Sequence, residues 1–134
     1  MKKSNIFSII FPTVIMVLMF LTFATDIFNI PDIQSKSIFV VGMVLIFPIS
    51  FLIQGIICVL NKTNWILSLI VSLVTYIVLM YIFLNDSAYI YVLLYTAFYM
   101  IGHITAKLYY KIKTFKIKLK YIKVTLREVS LMIF

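Results

Sequence analysis

Charged residues are spaced so widely along this chain that they read as punctuation. Lys3 to Asp26 encloses 22 uncharged residues, Lys36 to Lys62 encloses 25, Lys62 to Asp86 encloses 23 and Asp86 to Lys107 encloses 20. A hydrocarbon core of about 30 Å takes about 20 helical residues to cross. A span must also pair its backbone groups within itself, so each stretch predicts a transmembrane helix. The expected spans are 6–25, 37–60, 65–84 and 88–107. Between the first two lie Asn29, Pro31, Asp26 and Asp32, all loop signals. Asn61-Lys62-Thr63-Asn64 reads as a tight turn with Asn64 capping the third helix, and Asn85-Asp86-Ser87 as a shorter one capping the fourth in the same way. Links this short predict that successive helices are antiparallel neighbours.

After Lys107 the pattern changes. Leu108, Ile112, Phe115, Leu119, Ile122, Leu126, Val129 and Ile133 recur at alternating intervals of four and three, over three heptads of apolar positions. Lys113, Lys116, Lys120, Lys123 and Arg127 keep the same rhythm one residue out of phase, while Ile117, Val124 and Leu131 interrupt the polar face. The chain therefore divides into a transmembrane bundle, 1–107, and a basic tail, 108–134. The leading expectation for the tail is an amphipathic helix on the anionic inner leaflet, where each basic residue contributes about 1 kcal/mol. Pairing with a partner helix, a strand from Lys116–Tyr121 into Ile122, Val124 and Thr125, and a loosely ordered segment are the other readings.

Composition confirms the class. The chain is 64% hydrophobic and only 12% charged, with a mean hydropathy of +1.15, against about 25% charged for a soluble domain. That excludes a soluble enzyme, a disordered tail and a conventional nucleic-acid-binding domain. The expected fold class is all-α, a polytopic membrane protein. Net charge is +8, from 12 basic and 4 acidic residues. With both termini on one side, 11 of the 12 cations lie there and only Lys36 lies opposite. The positive-inside rule then places both termini in the cytoplasm of a cell membrane. A signal peptide is the rival reading of the first stretch, but its apolar run exceeds the usual 7–15 residues and Thr22-Phe23-Ala24-Thr25 is a poor cleavage site. Eleven lysines against one arginine, with abundant Ile and scarce Ala, suggest an AT-rich bacterial genome.

Candidate chemistry is sparse. Cys58 is the single cysteine, so no internal disulfide forms. Gln54 and His103 fall at similar depth on the second and fourth spans, which run the same way, so the two are expected as a possible polar contact inside the bundle. Tyr91, Tyr95, Tyr99 and His103 repeat at i+4 along the fourth span, lining either a path or a packed seam. The plainer reading of both sets is contact between helices. Ser68 and Ser72 form a small-xxx-small pair, and Gly42, Gly102 and Ala106 also permit close approach. Pro12 and Pro48 each remove a backbone donor. The span interiors hold no Asp, Glu, Lys or Arg, which disfavours proton-coupled export. No catalytic set, cofactor motif or metal cluster is expected.

Two stretches, Phe47-Pro48-Ile49-Ser50-Phe51-Leu52-Ile53-Gln54-Gly55 and Leu94-Tyr95-Thr96-Ala97-Phe98-Tyr99, resemble small uncharacterised four-span membrane proteins of Gram-positive bacteria. The resemblance covers the second to fourth spans and implies no activity and no functional residue. The functional expectation is a non-enzymatic accessory, regulatory or immunity-type factor acting through partners: the bilayer, anionic lipids, and a membrane-protein partner or a second copy. An oligomeric transporter, lipid carrier or channel is the alternative, with a holin-like pore behind it. Nucleic acid is not an expected partner.

Overall fold

A computed structural model describes residues 3–25, 29 and 31–133. Asp26, Lys2 and Phe134, which entered the charge pattern or the tail above, lie outside the described residues. The fold is all-helical, with four helices long and apolar enough to cross a membrane. Helix α1 is Lys3–Ala24. Helix α2, Asp32–Val41, passes through a π-helical turn, Gly42–Ile46, into α3, Phe47–Leu60, and the three make one span of 29 residues. Helix α4 is Trp65–Phe83, and a 3-10 turn, Asp86–Tyr89, leads into α5, Ile90–Ile133.

Two boundaries differ from the expectation. The second helix starts five residues before Ser37, because Pro31 suits a helix start and Asp32 meets the positive end of the helix dipole. Lys36 sits exposed inside α2, marking where the charge lies and not where the helix begins. The fourth helix does not end near Lys107 but runs on for 44 residues in all. Asn64 caps α4 as expected, its Oδ1 accepting from the Ile66 N–H at 3.2 Å. Asn85 makes no side-chain cap; its carbonyl accepts from the Ala88 N–H at 3.0 Å in the 3-10 turn.

Successive helices alternate in direction, but the most extensive packing joins helices that are not successive. Ser68 meets Ser8 near one end of the bundle and Phe83 meets Phe20 near the other, so α1 and α4 are parallel. Their buried residues form facing i+4 rows: Ser8, Pro12, Met16 and Phe20 on α1, Ser68, Ser72, Tyr76 and Met80 on α4. Such rows interlock as ridges in grooves. Helices α3 and α5 are also parallel, and their backbones touch. A Cβ on Gly102 would collide with the Leu52 carbonyl, and one on Gly55 with the Tyr99 carbonyl and, at 2.9 Å, the His103 nitrogen. Short links set the alternating direction of successive helices, but small residues, not link length, set how close two helices can come. Helices α3 and α4 approach closely over only a short length.

The π turn follows from Pro48. The Phe47 N–H donates to Gly42 O, five residues back, so Met43 O has lost its α-helical donor. Its π-helical donor would be the nitrogen of Pro48, which carries no hydrogen. The Tyr95 hydroxyl fills the gap, donating to Met43 O at 3.0 Å. Tyr95 is fully buried, stacked on Phe51 with centroids 5.2 Å apart and edge-on to Tyr76 at 4.8 Å. A double-mutant cycle tests this account. Tyr95→Phe is expected to cost about 1–3 kcal/mol in detergent unfolding, the cost of an orphaned buried acceptor. In a Pro48→Ala background, where a backbone N–H returns, the cost is expected to fall by at least about 0.5 kcal/mol. Equal costs in both backgrounds would refute the account.

Candidate functional site

Proline also shapes the other end of the bundle. Pro12 lies inside α1, so the carbonyl four residues earlier, Ser8 O, has no α-helical donor. Gln54, fully buried on α3, supplies one. Its Nε2 lies 3.2 Å from Ser8 O, 3.4 Å from Ile9 O and 3.3 Å from Ser68 O. The same nitrogen lies 2.7 Å from Ser68 Oγ and 2.8 Å from Ser72 Oγ. Three of these five oxygens are carbonyls, which only accept, so the amide nitrogen and not its oxygen must face them. The same Ser72 Oγ lies 3.2 Å from Gln54 Oε1 and 3.1 Å from Ser68 O, the two acceptors within reach of its single proton.

The cluster continues toward the end of the bundle that carries Lys3, Lys62 and Lys107. Cys58 Sγ donates to Ser68 Oγ at 3.2 Å, and Asn61 Nδ2 donates to Ser8 Oγ at 2.8 Å. The Thr63 hydroxyl reaches Asn5 Oδ1 at 3.4 Å, fastening the 61–64 link to the start of α1. Three helices, α1, α3 and α4, are thus joined by one hydrogen-bonded network in a region where lipid offers no partners.

His103 does not join it. No hydrogen bond links Gln54 to His103 among the described residues, because successive helical residues point about 100° apart. Gly55 occupies the α5-facing position, which turns Gln54 toward α1 and α4. His103 is buried, with its ring 5.4 Å from the Trp65 ring and parallel to Tyr99 at 6.3 Å. Its Nδ1 has no hydrogen-bond partner among the described residues.

The tyrosine stripe is where the i+4 spacing placed it. Tyr95, Tyr99 and His103 are buried along α5 and Tyr91 is half-buried. The buried hydroxyls are already committed: Tyr95 donates to Met43 O, and Tyr99 donates to Trp65 O at 2.9 Å. At Tyr95 and Tyr99 the stripe is a seam of side chains bonded to the backbones of other helices. Sequence reasoning missed Tyr76, whose hydroxyl donates to Ala88 O at 3.1 Å and holds the 3-10 turn. It also missed Ser8, Cys58 and Asn61. The available signal was the i−4 rule for proline, which marks Ser8 O as a carbonyl in want of a donor. Ser68 and Ser72 were noticed as small residues; their hydroxyls are what the site uses.

The five basic residues Lys113, Lys116, Lys120, Lys123 and Arg127 all lie on α5 beyond the bundle, in a segment where every described residue from Lys107 to Ile133 is exposed. The strand alternative for 116–125 is not observed, and 108–133 is helical throughout. Among the described residues there is no group of three His, Cys, Asp or Glu side chains able to hold a metal ion.

Four helices long and apolar enough to cross a membrane, three of them joined by a buried polar network, define a multi-pass membrane protein. Residues 42–114, more than half of the chain, match the family described as Protein of unknown function (DUF2651), and the chain belongs to that family. The matched region runs from the π turn to Thr114, so it contains Gln54, Ser68, Ser72, Tyr95, Tyr99 and His103 and leaves α1 outside. No curated protein and no solved structure matches the chain.

The network makes a direct prediction about Gln54. Gln54→Leu is expected to lower the unfolding free energy in detergent by about 1–3 kcal/mol, the cost of removing the central donor of a buried network. Gln54→Glu is expected to lose stability relative to the parent as pH rises, since the protonated carboxyl can still donate one hydrogen but the ionised one has none to offer and faces three carbonyls. A Gln54→Glu chain whose stability relative to the parent does not fall with rising pH would show that the amide nitrogen does not face those carbonyls.

Proposed function

We propose that this is a non-enzymatic protein of a bacterial cell membrane, with both termini cytoplasmic, that acts through partners as an accessory, regulatory or immunity-type factor. One observation carries the reading. The polar side chains inside the bundle are largely consumed in joining helices, while the long basic segment of α5 is exposed on every side. The bundle is then an anchor and the tail is the working surface. The charge asymmetry supports the orientation: Lys3, Lys62, Lys107 and the tail share one end, and Lys36 lies at the other with Asp32 and Asp86.

Orientation is tested with reporter fusions. Fusions at Asn29 and Asn85 are expected to report the outside, and fusions at Lys62 and Phe134 the cytoplasm. A cytoplasmic signal at Asn85 would overturn the four-span topology.

The role of the tail is tested by removing residues 111–134 and comparing the result with deletion of the whole chain. The truncated protein is expected to reach the membrane at normal abundance, measured by quantitative immunoblotting of membrane fractions, and to reproduce the phenotype of the full deletion. A truncated chain that behaves like the parent would overturn the partner-dependent reading.

A further inference from the structure

The seam Leu108, Ile112, Phe115, Leu119, Ile122, Leu126, Val129 and Ile133 fits the d and a positions of successive heptads without interruption. All eight are exposed. In that register the flanking e and g positions include Lys111, Lys116, Lys118 and Lys123, and none is acidic; Glu128, the one acidic residue of the segment, falls at a c position. Flanking charges select the partner of a coiled coil.

Three occupants can be weighed against this pattern. A second copy in parallel would set Lys111 against Lys116 and Lys118 against Lys123, and an antiparallel copy would set e against e and g against g, again with like charges opposed. A bilayer surface requires the helix to lie flat, which needs a bend where the span ends, and α5 has no break and neither glycine nor proline after Gly102. The remaining occupant is a helix with the opposite flanking charge.

We propose that residues 108–133 form one strand of a heterotypic coiled coil, the other strand being a helix of a different protein with acidic residues flanking its own apolar seam. The proposal rests on the partner-dependent reading above and gives that partner a chemistry. Beyond Ala106 the helix is about 40 Å long at 1.5 Å per residue, and the seam covers more than three heptads, enough for pairing in register.

The test uses the full chain in phosphatidylcholine nanodiscs and two designed heptad peptides, both with Ile at a and Leu at d. One has Glu at every e and g position, the other Lys. Titration calorimetry is expected to show the Glu peptide binding at least tenfold more tightly than the Lys peptide, with the preference inverted in a Lys111→Glu, Lys116→Glu, Lys118→Glu, Lys123→Glu variant. Adding phosphatidylglycerol to the discs is expected to change the affinity less than threefold. Equal binding of the two peptides, or no binding, overturns the proposal. A tenfold loss in phosphatidylglycerol discs assigns the seam to the anionic leaflet and also overturns it. So does efficient disulfide crosslinking of a Leu119→Cys, Cys58→Ser chain to its own copy. These failures are distinct from failure of the underlying reading, which requires the chain lacking 111–134 to behave like the parent.

Discussion

Two prolines and the carbonyls whose helical donors they remove set the terms for the rest of the bundle. In water an unpaired carbonyl turns to solvent at little cost. In hydrocarbon it costs several kcal/mol unless protein supplies a donor. Pro12 frees Ser8 O, and Pro48, with the π turn before it, frees Met43 O. Each is covered by a side chain from a different helix: the Gln54 amide reaches Ser8 O from α3, and the Tyr95 hydroxyl reaches Met43 O from α5. The defect in one helix thereby becomes an attachment point for another, and the second span takes part in both, as donor through Gln54 of α3 and as acceptor through Met43 of the π turn.

This arrangement divides the bundle along its length. Near the end that holds Lys3, Lys62 and Lys107, amide and hydroxyl groups join α1, α3 and α4. Toward the other end the contacts are aromatic: Phe20 lies 5.1 Å from Phe39, 6.1 Å from Phe47 and 5.3 Å from Phe83. Lipid tails are as apolar as these rings, so their contribution comes from packing and not from escape from water. The polar half is directional and fixes register; the aromatic half fills volume. Gly55 and Gly102 add a third kind of contact, the near-touching backbones of α3 and α5.

Much of the fold could be read from the sequence because bilayer thickness imposes one length scale, and charges cannot be placed inside it cheaply. The gaps from Lys3 to Asp26, Lys36 to Lys62, Lys62 to Asp86 and Asp86 to Lys107 therefore marked four spans. What charge spacing could not give was which helices touch, since that depends on small residues at Gly55, Gly102, Ser68 and Ser72 scattered over three helices. It also could not give the end of α5. Lys107 marks the edge of the apolar segment, but a helix stops only where its hydrogen bonding stops, and nothing in the following residues interrupts it. The candidate site was half legible. Gln54 stands out as an amide in an apolar run and as a contact between helices, but depth along a span does not say which way a side chain turns, so His103 could not be told apart from Ser8, Ser68 and Ser72 as its partner.

Five oxygens surround the Gln54 nitrogen at 2.7–3.4 Å. An amide nitrogen carries two hydrogens, so the five oxygens share them, and a small shift of any one helix can be met by a different choice of acceptor. The three helices meet at a neutral group, so the joint brings no dehydrated charge into the bilayer.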